Sequence, residues 1–417
     1  MKKKTLQKFS RLFASLVLVG AMSLGTVATV NAKTVNAGAT TYGEGETATA
    51  AISVEYKMGN GVTAPANNVS FTFTKKSNPK NTTANMPDLT AAAINFDAGA
   101  TTIKDTTITD YTVLRRETTD FLGAFVTYMN AHSTMDVGEY VYTLTSTSTG
   151  TATAPSKFVS SQAKYEVHIF VAQKTAGGLY IKGTGIKKIQ NDDGTAASGK
   201  VDGTPGTHTD GKEENFSKVK FVNEYVAVSG STTPDPTDPS TYAFKVSNKA
   251  VDSTTSADSS FNYKMTLTAP ALKGVGNTYT YYKVTTAGKG TALTGHYGTE
   301  EEFSLKNGEY VIVAEAPQGT KATVKQIGKA NWTPVVEYTF NNGTAENNNA
   351  AMGKDLSVEN KLIGITPNKV DYTNTYKDIA VTGIIVNNFP FVMMIVMAMA
   401  AFVAIVAVKS RRRMNER

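Results

Sequence analysis

The 417-residue chain has no cysteine, a single tryptophan and only four histidines. Without thiols it has no disulfide framework, no thiol nucleophile and no cysteine-ligated metal. His132, His168, His208 and His296 are scattered and lack metal-ligand spacing. Asp192-Asp193-Gly194 and Asp202-Gly203 have the small acidic residues of a weak calcium site, but turn chemistry accounts for them. A nucleophile elbow, phosphate loop, dinucleotide fingerprint and EF-hand loop are all missing. No cofactor or metal is expected, and no residue is singled out as catalytic. A surface glycosidase would need paired carboxylates in a cleft, and no acid-rich segment locates such a pair.

Charge is also missing where it matters. Ile384 to Val408 carries none, and about 20 apolar residues from Phe389 onward suffice to cross a bilayer core. Lys409, Arg411, Arg412 and Arg413 follow, which the positive-inside rule holds on the cytoplasmic side. At the other end, Lys2, Lys3, Lys4, Lys8 and Arg11 precede the apolar Leu12–Leu24 and the small-residue site Val30-Asn31-Ala32. This is the pattern of an export signal (residues 1–32), with the mature chain starting near Lys33. A retained membrane helix is the alternative, but the apolar stretch is short and a cleavage site follows it. The two ends hold five and a net four positive charges of the total of +7, so the part between carries about −2. The high pI therefore gives no case for nucleic-acid binding.

The intervening residues alternate with period two. Val69–Phe73, Tyr140–Leu144, Tyr165–Val171, Val219–Phe221, Tyr242–Val246, Phe261–Leu267, Thr278–Tyr282 and Glu309–Val313 read as strands, separated by turn clusters such as Asn191–Gly194. Thr118 to Asn130 is the best helix candidate. The fold class is all-β, with tandem immunoglobulin-like β-sandwich domains. Residues 33–50 form an N-terminal extension, 51–228 the first domain and 242–377 the second. Between them, residues 229–241 have spaced prolines and no large apolar side chain, as in an extended, semi-stiff linker.

Residues 378–417 combine Ile379-Ala380-Val381-Thr382-Gly383, the apolar span and the basic tail. This resembles the cell-wall sorting signal of Gram-positive surface proteins. The resemblance implies cleavage between Thr382 and Gly383 by a membrane sortase; an unprocessed membrane anchor is the plainer reading.

Each domain also ends on an aromatic-x-Asn-x-Tyr strand, at Phe221–Tyr225 and Tyr372–Tyr376, with asparagines at 223 and 374. Asparagine is disfavoured inside strands, so its recurrence needs a cause. Near each domain's start a strand carries a lysine, Lys57 or Lys249. With the Phe71-x-Phe73 strand and Gly138–Tyr142, these features resemble the isopeptide-linkage domains of streptococcal-type major pilins. The resemblance implies amides between Lys57 and Asn223 and between Lys249 and Asn374, formed with loss of ammonia. Such a lysine must be neutral and buried. The family's assisting carboxyl falls at Ser146 and Gln326 here, a departure that leaves Glu139, Glu166, Glu315 and Glu337 as other possible acids.

In this family another lysine attacks the sortase-bound threonine of the next subunit. Lys218, just ahead of the Asn223 strand, is the first candidate, and Lys80, in Pro79-Lys80-Asn81, the second. The implied protein is a structural subunit of a sortase-assembled cell-surface pilus, of backbone type. Its partners would be sortase, other pilin subunits, peptidoglycan and, for the precursor, the membrane. A monomeric wall-anchored adhesin is the alternative, and no host ligand is indicated.

Overall fold

The computed structural model describes residues 39–100, 104–252, 258–378 and 382–415. Two β-sandwiches follow one another along the chain, and a helix closes it. In the first, a seven-stranded sheet runs in the order Ala39–Thr41, Leu179–Gln190, Lys164–Gln173, Gly138–Ser148, Asn67–Ser77, Ile94–Phe96, with Ala196–Val201 also on Leu179–Gln190. The facing four-stranded sheet runs Thr112–Glu117, Ser53–Met58, Lys220–Val226, Lys157–Val159. Alternate residues of both sheets fill the space between them. Tyr56 meets Phe96 edge-on with ring centroids 5.4 Å apart, and Tyr165 meets Phe221 at 5.3 Å.

The second sandwich repeats the plan. An eight-stranded sheet is centred on Phe244–Val251 and Lys369–Tyr376, and a four-stranded sheet (Glu300–Leu305, Phe261–Thr268, Lys321–Gln326, Leu356–Leu362) faces it. The single tryptophan, Trp332, is a core residue, packed against Phe261 and Tyr376.

In each sandwich one sheet has its first and last strands as parallel neighbours. Ser53–Met58 pairs with Lys220–Val226 and Phe244–Val251 with Lys369–Tyr376. The chain thus enters each domain at one end and leaves it at the other.

The helix expected over Thr118–Asn130 is shorter, α1 (Gly123–Ala131). The residues before it serve the first strand instead. Thr118 Oγ1 accepts the Ile52 N–H at 3.0 Å and Asp120 Oδ1 accepts the Ala50 N–H at 2.8 Å. The closing helix, α2 (Thr382–Asn415), includes a 23-residue apolar stretch, Pro390–Arg412, long enough to cross a membrane.

The segment after the first sandwich is not a free spacer. Val228–Gly230 pairs antiparallel with Glu315–Pro317. Farther on, Lys289 Nζ donates to the Pro234 carbonyl at 2.6 Å and Tyr310 Oη to that of Pro236 at 3.3 Å. Prolines and short polar residues leave backbone carbonyls bare, and the second domain supplies their donors. The exit end of the first domain abuts the entry end of the second. Gln318 N–H donates to Ala227 O at 2.8 Å, and Lys273 N–H to the buried Glu224 carboxylate at 2.6 Å.

Gly59 lies in this contact, where a Cβ would stand 1.9 Å from the Gln318 carbonyl oxygen. Gly59→Ala should therefore part the domains. The expected result is faster proteolysis between residues 227 and 243 and a loss of about 1–3 kcal/mol in denaturant unfolding. Unchanged cleavage would show that the two backbones do not meet here.

Candidate functional site

The strand alternation that builds the two cores decides which side chains can meet. In the first strand Val54, Tyr56 and Met58 point inward, so Lys57 points out. Across the parallel seam Asn223 is level with Tyr56, and Lys57 is level with Glu224. Lys57 and Asn223 thus lie on opposite faces of one sheet, and the structure does not bring them together. The same holds in the second domain, where Ala250 is level with the buried Asn374 and Lys249 is exposed. The chemistry that the resemblance implies for Lys57 and Lys249 needs a buried amine facing the amide. Neither lysine has that position.

What faces Asn374 instead is a cluster of neutral amides. Asn374 Nδ2 donates to Asn248 Oδ1 at 2.9 Å, and Gln326 Nε2 donates to Asn374 Oδ1 at 2.6 Å. Tyr263 Oη donates to Asn248 Oδ1 at 2.9 Å, and Asn248 Nδ2 to the Lys306 carbonyl at 2.9 Å. All four side chains are at most 2% exposed. Burial holds the Tyr263 hydroxyl well above its usual range, so the cluster is uncharged. Gln326, the residue standing in for the family's carboxyl, is thus in contact with the strand-end asparagine. The place facing the Asn374 amide belongs to Asn248, one residue before Lys249. An amide is no nucleophile toward another amide, so the cluster binds the strands by hydrogen bonds alone.

In the first domain Asn223 is also buried. Its Oδ1 accepts the Ser161 N–H at 2.9 Å, and its Nδ2 finds no partner among the described residues. Ser146 lies half-buried on Gly138–Ser148, opposite Phe71. The acid the fold brings into this neighbourhood is Asp192, which sequence spacing missed. Its Oδ1 accepts from Ser161 Oγ at 2.6 Å and from the Val222 N–H at 2.8 Å, while Oδ2 pairs with Lys188 at 2.9 Å. The other candidate acids point elsewhere. Glu139 binds His168, Glu166 pairs with Lys76, Glu337 with Lys369, and Glu315 sits at the domain contact.

Lys57 joins a charged layer on the outer face of the same seam. Glu55 is 1% exposed and receives Arg115 Nε at 2.7 Å, Lys220 Nζ at 3.2 Å and Lys57 Nζ at 3.5 Å. Arg115 also binds Asp105 at 2.7 Å and the Gly211 carbonyl. Burial disfavours the Lys220 ammonium, but Glu55 and Glu213 outweigh it and raise its pKa, so this amine stays protonated and unreactive.

The two candidate joining lysines are exposed. Lys218 immediately precedes the last strand, and its Nζ donates to the Glu213 carbonyl at 2.7 Å. Lys80 pairs with Asp136 at 2.9 Å. Of the sorting motif, Thr382 and Gly383 open α2, while Ile379, Ala380 and Val381, like the export signal, lie outside the described residues.

A family model described as a domain of unknown function (DUF7601) matches residues 242–361. No curated protein is significantly similar in sequence. Among solved structures the chain is similar to the major pilin T3.2 of Streptococcus pyogenes, at 16% identity and a TM-score of 0.30, covering 79% of this chain and 98% of that one. Another Streptococcus pyogenes major pilin gives 15% and 0.31, with 79% and 99% covered. A pilus-presented adhesin gives 13% and 0.25, with 40% and 32% covered. Superposition at these scores is loose, so the fold described above rests on this chain's own sheets.

Two measurements test the site. Gln326→Leu strands the Asn374 carbonyl and should cost about 1–3 kcal/mol, whereas Lys249→Ala should cost less than about 0.5 kcal/mol. Asn248→Lys combined with Gln326→Glu should place an amine against Asn374, and intact-mass spectrometry should then find one ammonia lost. An unchanged mass would show that position 248 does not reach the amide.

The pH response follows from Asp105 and Asp192. Burial acts to raise both carboxyls, but hydrogen bonds from Thr107 and Arg115 to the one, and from Lys188, Ser161 and Val222 to the other, hold both below the usual range. Their stabilisation is therefore complete above about pH 4 and is lost as pH falls through the folded values. Denaturant unfolding at pH 7 and pH 3 should show this loss in the first domain, and Asp192→Asn should shrink it. Arg115→Met leaves Glu55 and Asp105 facing each other and should cost about 3–5 kcal/mol at pH 7.

Proposed function

We propose that this chain is a structural subunit of a sortase-assembled, cell-surface pilus of a Gram-positive bacterium, joined head to tail through Thr382. One observation carries this reading: the candidate acceptor and donor ends lie at opposite extremes of the two domains. Lys218 adjoins the entry end of the first domain, where Ser53 N–H donates to Val219 O. Thr382 follows the exit end of the second, six residues after Tyr376. A bond from Thr382 of one copy to Lys218 of the next continues the same axis. Lys80 lies in a loop of the same domain and is the second choice.

The remaining features support the reading. The apolar helix holds the precursor in the membrane beside the sortase, with Arg411, Arg412 and Arg413 inside. After cleavage the last copy is joined to peptidoglycan. The Lys57 and Lys249 cross-links form no part of the proposal, because each lysine lies across the sheet from its asparagine.

Expressed with its sortase, the chain should give a ladder of high-mass species that survives boiling in detergent. Thr382→Ala should leave only monomer, and Lys218→Arg should abolish or sharply reduce the ladder while wall attachment persists. A single wall-bound band from the unaltered chain would favour a monomeric adhesin. A chain whose size and attachment do not respond to Thr382→Ala would overturn the sorting reading.

A further inference from the structure

The contact between the two domains borders a half-open cavity of about 400 Å³. Val226 and Val228 form one wall, and Tyr279, Tyr297 and Glu315 form much of the other. Its volume lies within the range of small-ligand sites, and a seam between domains is a common place for one. Glu315 lines the cavity, and its Oε1 is withdrawn from solvent with no partner among the described residues. Tyr279 also lines the cavity; it is 4% exposed, and its own unpaired hydroxyl lies against Gly295, where a Cβ would stand 2.7 Å from it. A buried hydroxyl or carboxylate oxygen without a hydrogen bond is costly, and the ionised carboxylate most of all.

We propose that this cavity is a binding site for a primary ammonium group on a short carbon chain, such as a lysine side chain or a small alkylamine. The reasons are chemical. Glu315 Oε1 has free acceptor capacity, and an ammonium offers three N–H donors with the charge that compensates the carboxylate. The rings of Tyr279 and Tyr297, with centroids 5.1 Å apart, present faces that attract a cation. Glu315 lies close enough to Tyr297 to help burial raise that hydroxyl's pKa. Lys157 is the one cation lining the cavity; it is exposed at the mouth and makes no ion pair with Glu315 among the described residues. A quaternary ammonium would satisfy the rings but not the Glu315 oxygen, so the site should prefer the primary amine.

The test is titration calorimetry of the full-length chain in a non-ionic detergent, with n-butylammonium, tetramethylammonium and sodium chlorides. Saturable binding of n-butylammonium at one site is expected, weakened about tenfold or more by Glu315→Gln. Gly276→Trp supplies a variant away from the buried groups. It lines the cavity and has nothing within 4 Å of its Cβ position, so the indole should block entry without disturbing the core. Heats no larger than those of sodium chloride would overturn the proposal. So would tetramethylammonium binding as tightly as n-butylammonium, or affinity unchanged in both Glu315→Gln and Gly276→Trp.

Discussion

Parallel pairing of the first and last strands is the constraint on which the rest of the molecule depends. Six residue pairs join these strands in the first domain and seven in the second. Because the strands are parallel, tension on the two ends of a domain slides one past the other. All the backbone bonds of the seam then resist together. An antiparallel terminal pair pulled from one end would open bond by bond. The side chains that seal this seam on its two faces thus govern how each domain responds to load, and to loss of charge.

The domains seal it by opposite means. The second places Asn248, Gln326, Asn374 and Tyr263 on the core side, mutually hydrogen-bonded and uncharged. A satisfied neutral network in a low-dielectric interior fixes register without the desolvation cost of ions. The first places its charges around Glu55 on the outer side, and on the core side leaves Asn223 with one satisfied oxygen and one unpaired nitrogen. Buried ion pairs tolerate the loss of a partner poorly, so this half is more sensitive to substitution and to acid.

Much of this was legible in the chain. Period-two runs located the principal strands, and the repeated aromatic-x-Asn-x-Tyr pattern marked each domain's last strand. The lysines were expected to face the asparagines, but both point to the other side of the sheet, since a one-residue step in a strand reverses the face. The signal was present: Phe244, Val246 and Ala250 set the inward parity, which selects Asn248 and rejects Lys249. Val54, Tyr56 and Met58 reject Lys57 by the same rule. Asp192 was read as a turn residue, which it is. That its carboxylate also reaches Ser161 and Val222 depends on contacts 30 or more residues away, which no local pattern contains. The proline-rich segment was illegible for a related reason, since its partners Lys289 and Tyr310 belong to strands and turns of the next domain.

That segment has a mechanical meaning of its own. From Ser229 to Thr241 the chain is held by one short strand pairing, the Ser231 N–H on the Ala314 carbonyl and side-chain bonds of Ser229, Lys289 and Tyr310, without the continuous ladder of either seam. A pull that undoes these scattered bonds and leaves the ladders intact draws the segment out to a span of up to about 45 Å. Slack of that length would take up a sudden tug while both folded bodies stay intact.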